Sequence, residues 1–161
     1  MPAFQYALGA GYDYIETDPQ LTRDGVVVLM HDDTINRTCR QEDGSVIEKP
    51  LFVCDMTYRN PDGSRIEQPI RVADMTYAEL CGYDAGIAMG EQFRGTRIPR
   101  LDELLSAAEE KNVTIALDKK IRTEHVDALI DVVKICKAKV CFSTSDTERI
   151  RRIQSRIADA S

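Results

Sequence analysis

From residue 99 onward, short apolar runs alternate with stretches of helical period, and this alternation restricts the fold more than any other feature of the chain. Pro99 stands where a helix opens, and Leu101, Leu104, Leu105 and Ala108 follow at helical spacing until Asn112 offers a stop. Residues 113–117 read as a short apolar strand. Val126, Leu129, Ile130 and Val133 recur at i, i+3, i+4 and i+7, which predicts a second helix. Residues 139–142 read as the next strand, and Ser145-Asp146-Thr147-Glu148 as the cap of a last helix carrying Ile150, Ile153 and Ile157. Strands alternating with helices imply a parallel α/β sheet, either open or closed into a barrel.

The N-terminal half fits the same scheme with one interruption. Phe4, Ala7 and Leu8 sit at helical spacing before Gly9 and Gly11, and residues 12–18 read as a strand. An Asp24-Gly25 turn then leads into Val26-Val27-Val28-Leu29-Met30, apolar at every position. Such a run belongs to a parallel sheet that helices cover on both faces. Between residues 39 and 75 periodicity fades, with turn signals at Asp43-Gly44 and Asn60-Pro61-Asp62-Gly63. The expectation is an inserted loop lying over a site, with a hairpin of its own. Thr76-Tyr77-Ala78-Glu79, a capping-box pattern, resumes the order.

With 161 residues, 43% of them hydrophobic, the chain suffices for one domain with a sizeable core. A net charge of -6 argues against nucleic acid or an anionic membrane surface as a partner, because both attract basic surfaces. No segment approaches the roughly 20 apolar residues that span a bilayer, so no stable membrane insertion is expected. The five cysteines include no C-x-x-C pair and read as free thiols, which favours a cytoplasmic home. A periplasmic or secreted one stays open if a leading segment is missing, and homo-oligomerisation stays open as well.

The chemistry gathers at strand ends. Glu16 and Asp18 stand two apart, so their side chains point the same way and suit one hard cation. The run ending at Met30 continues into His31-Asp32-Asp33, and residues 113–117 run into Asp118-Lys119-Lys120. Taken singly, each of these is an ordinary helix cap or solvated turn. Polar groups at the C-terminal ends of several parallel strands are, however, what active sites of (β/α)₈ enzymes are made from. Carboxylates, a histidine and a lysine together describe metal-assisted attack on an anionic ester.

Longer segments carry a specific resemblance. Ala3-Phe4-Gln5-Tyr6-Ala7, Tyr12-Asp13-Tyr14-Ile15-Glu16-Thr17-Asp18, Leu21-Thr22-Arg23-Asp24-Gly25-Val26, His31-Asp32 and Asn36-Arg37-Thr38 follow one another in the order and spacing of known motifs. Tyr83-Asp84-Ala85-Gly86, Arg97-Ile98-Pro99-Arg100-Leu101-Asp102-Glu103-Leu104-Leu105 and residues 113–120 continue the series. The chain thus resembles the glycerophosphodiester phosphodiesterase family over nearly its whole length outside the insertion.

This resemblance implies a (β/α)₈ TIM-type barrel, here a partial one comprising residues 1–161 with the 39–75 insertion. It implies hydrolysis of a small-molecule glycerophosphodiester to an alcohol and glycerol 3-phosphate with a divalent cation, Mg²⁺ or Ca²⁺. Carried over by position, Glu16, Asp18 and Asp118 become metal ligands, His31 one of two acid–base histidines, and Lys120 the lysine that meets substrate oxyanions. In that picture a substrate hydroxyl attacks phosphorus to give a cyclic phosphate, which water then opens.

Asp118 stands where the family has Glu, a carboxylate shorter by one methylene. The family's opening H-R-G strand and P-E-N-T segment precede the point at which this sequence begins, so Met1 reads as internal. Residues 1–161 alone are then expected to supply about four barrel strands and little phosphodiesterase activity. His125, the other histidine, is placed in the first turn of a helix and given no catalytic role. A binding relative of the same fold and a metal-using barrel enzyme acting on sugars are the competing readings.

Overall fold

The computed structural model describes residues 1–47, 70–118 and 120–158. Its elements are α1 (Pro2–Gly9), β1 (Tyr14–Thr17), β2 (Pro19–Leu21), β3 (Val27–Leu29), α2 (Tyr77–Leu80), α3 (Leu101–Lys111), β4 (Thr114–Leu117), α4 (Val126–Ile135), β5 (Lys139–Phe142) and α5 (Thr147–Ala158). Local chemistry sets the helix boundaries. Pro2 opens α1, where a missing N–H costs nothing. Thr76 and Glu79 close a reciprocal capping box on α2. Asn112 ends α3 in the left-handed region, at φ 55° and ψ 34°. At α5, Asp146 Oδ1 accepts hydrogen bonds from the N–H groups of Glu148 and Arg149 at 2.9 and 3.2 Å.

Strands β1, β4 and β5 pair in parallel, in that order. The register sets Glu16 beside Ala116 and Thr17 beside Leu117. Because side chains alternate along a strand, Ile15, Ile115 and Leu117 enter the core with Leu101, Leu104, Leu105 and Ala108 of α3 and Leu129 of α4. Each of these large apolar side chains contributes about 1.5–3 kcal/mol by leaving water. The opposite face carries Tyr14 and Glu16, both exposed. Three parallel strands with their helices on one face form an arc of a (β/α)₈ barrel.

The run at residues 26–30 departs from its sequence reading. β3 does not join the parallel sheet; it pairs antiparallel with β2, with Pro19 opposite Leu29 and Leu21 opposite Val27. The turn between them is closed by Thr22, whose hydroxyl donates to Asp24 Oδ1 at 2.6 Å, and by Gly25 at φ 83°. The run is apolar throughout because two different cores meet at it. Val27 and Leu29 pack with α3 and the parallel sheet, whereas Val28 and Met30 pack with Ile35, Cys39, Ile47, Val72, Leu80 and Ile98. The strand is buried on both faces, as its composition implies, but two cores rather than two layers of helices cover it. Among the described residues the parallel sheet has three strands rather than about four.

Smaller corrections follow. Pro99 lies just before α3, and its carbonyl accepts from Leu29 N–H at 2.9 Å. His125 precedes α4 as its N-cap. The edges of the expected insertion belong to the second core, since Cys39, Ile47 and Val72 are buried. The hairpin expected within the insertion falls at residues 48–69, outside the described residues.

That second core is also held by Asp84. Buried at 5% exposure, it accepts hydrogen bonds from the N–H groups of Gly86, Ile87 and Gly95 at 2.8, 2.9 and 2.7 Å. A Cβ at Gly86 would lie 2.2 Å from the carbonyl oxygen of Phe93, so only glycine fits this crossing.

Candidate active site

Glu16 and Asp18 share the open face of the parallel sheet, and Asp118 lies one step beyond β4 on the same side. The ladder extends to it, because Asp118 N–H donates to the carbonyl of Thr17 at 3.0 Å. One carboxylate oxygen from each of Glu16, Asp18 and Asp118 lies within 4.8 Å of the others. Oxygens bound to one Mg²⁺ or Ca²⁺ at 2.0–2.6 Å lie at most about 5.2 Å apart, so this spacing accommodates a shared ion. The shorter side chain of Asp118 reaches the cluster without a bridging group.

The electrostatics agree with a cation. Partial burial, then the charges of Asp18 and Asp118, push the Glu16 carboxyl above its ordinary range, while His31 and Lys120 pull it the other way. Ionising three carboxylates at this separation is costly without a positive charge among them.

His31 arrives from the hairpin. It follows β3, and Gln20 of β2 anchors the connection by donating its Nε2 to the carbonyls of Met30 and Asp32 at 2.9 and 2.5 Å. The His31 Nδ1 lies 2.8 Å from Asp32 Oδ1, and its Nε2 lies 3.5 Å from Lys120 Nζ. Asp32 is clamped in turn by Arg37, with Nε to Oδ2 at 2.6 Å and Nη2 to Oδ1 at 2.9 Å. Burial works against the Asp32 charge, yet the hydrogen bonds from Arg37 and His31 outweigh it and hold this carboxyl below the usual range.

All five residues singled out in the sequence, Glu16, Asp18, His31, Asp118 and Lys120, thus border one region. Four details around them differ from expectation or carry no plain signal in the sequence. His31 sits at the end of a hairpin strand, not a barrel strand. In the sequence Asp32 is only a polar neighbour of His31, Arg37 only part of a motif, and Gln20 does not stand out at all. The Asp32 and Arg37 roles lie in their mutual contact and in the contact with His31, which residue type does not announce, and the Gln20 contacts depend on hairpin pairing that the apolar run conceals.

Comparison with known proteins places the chain among known sequences and folds. The chain is 34% identical over 118 residues to a glycerophosphodiester phosphodiesterase of Caldanaerobacter subterraneus, a match covering 73% of this chain and 37% of that protein. In three dimensions it resembles an Oleispira antarctica phosphodiesterase solved with the product sn-glycerol-3-phosphate, with a TM-score of 0.71 and 20% identity over 96% of this chain and 54% of that one. A glycerophosphodiester phosphodiesterase of Agrobacterium tumefaciens gives a TM-score of 0.62 and 24% identity, covering 96% of this chain and 55% of that one. The chain therefore spans about half the length of the solved structures it matches and less of the curated relative. The profile of the Glycerophosphoryl diester phosphodiesterase family matches residues 1–156, and the chain belongs to that family.

Proposed function

We propose that these residues serve the divalent-metal-dependent hydrolysis of a glycerophosphodiester to an alcohol and glycerol 3-phosphate. The observation that carries this reading is the meeting of three carboxylates within 4.8 Å on the open sheet face, beside a histidine and a lysine. Glu16, Asp18 and Asp118 are the residues that hold the ion, a hard cation such as Mg²⁺ or Ca²⁺ by the all-oxygen donor set. When bound, the ion supplies charge neutralisation and polarisation at the phosphoryl group. Lys120 places its ammonium group where the phosphoryl oxygens gain negative charge. His31, through Nε2, moves the proton between the attacking and leaving oxygens.

The four described cysteines are free, which fits a reducing compartment. Among the described residues no helix is long and apolar enough to cross a membrane.

The reading is tested on the purified gene product that carries these residues, with a glycerophosphodiester as substrate and release of glycerol 3-phosphate as the signal. Hydrolysis should require added divalent cation, stop with chelator, and fall by on the order of 10²-fold in His31→Ala. Turnover that survives exhaustive chelation, or the absence of any hydrolysis in the presence of metal, would contradict it.

A further inference from the structure

We propose that Asp32, gripped by Arg37, is a positioning residue that holds the His31 ring with its proton on Nδ1 and its Nε2 lone pair turned to the site. The inference deepens the acid–base role given to His31 and rests on that reading for its kinetic consequence, though its structural content stands alone.

The geometry runs from inside outward. The Asp32 side chain is 1% exposed and that of His31 is 59% exposed, so a buried anion backs an open ring. Arg37 engages both carboxylate oxygens in a forked pair, which fixes the plane of the carboxylate and favours its ionised form. An ionised carboxylate only accepts, so the ring nitrogen 2.8 Å away must be the donor. That assignment leaves Nε2 unprotonated in the neutral ring. The other side agrees, because Nε2 faces the Lys120 ammonium at 3.5 Å, a group that only donates. Both neighbours therefore select one tautomer of the two, and the Gln20 bonds to the carbonyls on either side of His31 hold the backbone that aims it. A side chain that is more than half exposed would otherwise rotate freely and sample both tautomers.

The test uses nitrogen NMR of the chain, which contains two histidines, so a His125→Gln variant assigns the His31 signals. At a pH where the ring is neutral, the nitrogen shifts should report Nδ1–H as the dominant form. In Asp32→Ala the ring should revert toward the Nε2–H form that free imidazole side chains prefer. Arg37→Gln, which keeps Asp32 and is milder should Asp32→Ala fold poorly, should shift the population in the same direction. In the gene product, Asp32→Ala should lower kcat by about 10²-fold with KM changed far less, since the residue acts through His31 and not on bound substrate. Dominant Nε2–H in the unsubstituted chain overturns the inference whatever the activity. Dominant Nδ1–H that responds to both variants upholds it even if no glycerophosphodiester is hydrolysed, a result that would sink the proposed function alone.

Discussion

On the parallel sheet, Glu16 stands exposed among two other carboxylates, and its affinity for a proton is raised. On the hairpin side, Asp32 and Asp84 are buried, yet hydrogen bonds hold both below the ordinary carboxylate range. The two regions treat their acidic groups oppositely. Asp32 and Asp84 are satisfied from within, by Arg37 and His31 in one case and by three backbone N–H groups in the other. Such groups keep geometry. In the sheet cluster, partial burial and then the neighbouring Asp18 and Asp118 raise the Glu16 carboxyl instead. Under the proposed function, the histidine side is held by internal hydrogen bonds, whereas the carboxylate side changes its energetics when a cation binds.

The largest expected effect separates the packing of the two regions. Leu104, fully buried between α3 and the sheet, should cost about 2–5 kcal/mol when cut to alanine, from lost transfer energy and the cavity left behind. Urea unfolding followed by circular dichroism measures it. A loss under about 1 kcal/mol would mean that the sheet core is not the main source of stability.

Next comes the polar hold on the second core. Asp84→Ala strands the buried N–H of Gly86 together with those of Ile87 and Gly95, and should destabilise by about 2 kcal/mol. Asp84→Asn keeps one acceptor oxygen and should cost less. Equal losses in the two variants would show that charge, not acceptor count, is what matters there.

A smaller effect, in pH dependence, sharpens the contrast directly. Asp32 and Asp84 have depressed folded-state pKa values, so their contribution is present above the ordinary Asp value of about 3.9 and is lost as pH falls through the depressed values. Glu16 is raised, so it contributes below its ordinary value and that contribution is lost as pH rises through the raised one. In metal-free buffer, Glu16→Gln should therefore gain stability relative to the parent as pH rises above the ordinary carboxylate range, whereas Asp84→Ala should lose less than the parent on acidification. Urea midpoints across pH 3–7 read both slopes, and a common sign for the two variants would dissolve the distinction between the regions.

Much of the fold is legible in the amino-acid sequence. Short apolar runs and helical spacing place α3, α4, β4 and β5 because each of these elements turns an apolar face to the interior. Val26-Val27-Val28-Leu29-Met30 misleads for a physical reason: burial on both faces looks the same whether helices flank a parallel strand or two cores flank a hairpin strand. Two members of the carboxylate cluster can be read because Glu16 and Asp18 are two residues apart. The third, Asp118, needs the β1–β4 register, which local pattern does not carry and only the family resemblance implies. Asp32 is not legible because its role lies in what it touches, His31 and Arg37, and its residue type alone announces neither contact. The D-A-G segment, matched as a motif, acquires its reason from Asp84 accepting three N–H groups and Gly86 passing under the Phe93 carbonyl.

Whether Glu16, Asp18 and Asp118 form a cation site is tested most directly by calorimetric titration of the chain with Ca²⁺ and with Mg²⁺. Single-site binding is predicted, weakened about tenfold or more in each of Glu16→Gln, Asp18→Asn and Asp118→Asn, with the circular dichroism spectrum unchanged. Binding that is absent at millimolar ion, or that persists undiminished in all three variants, would contradict the account.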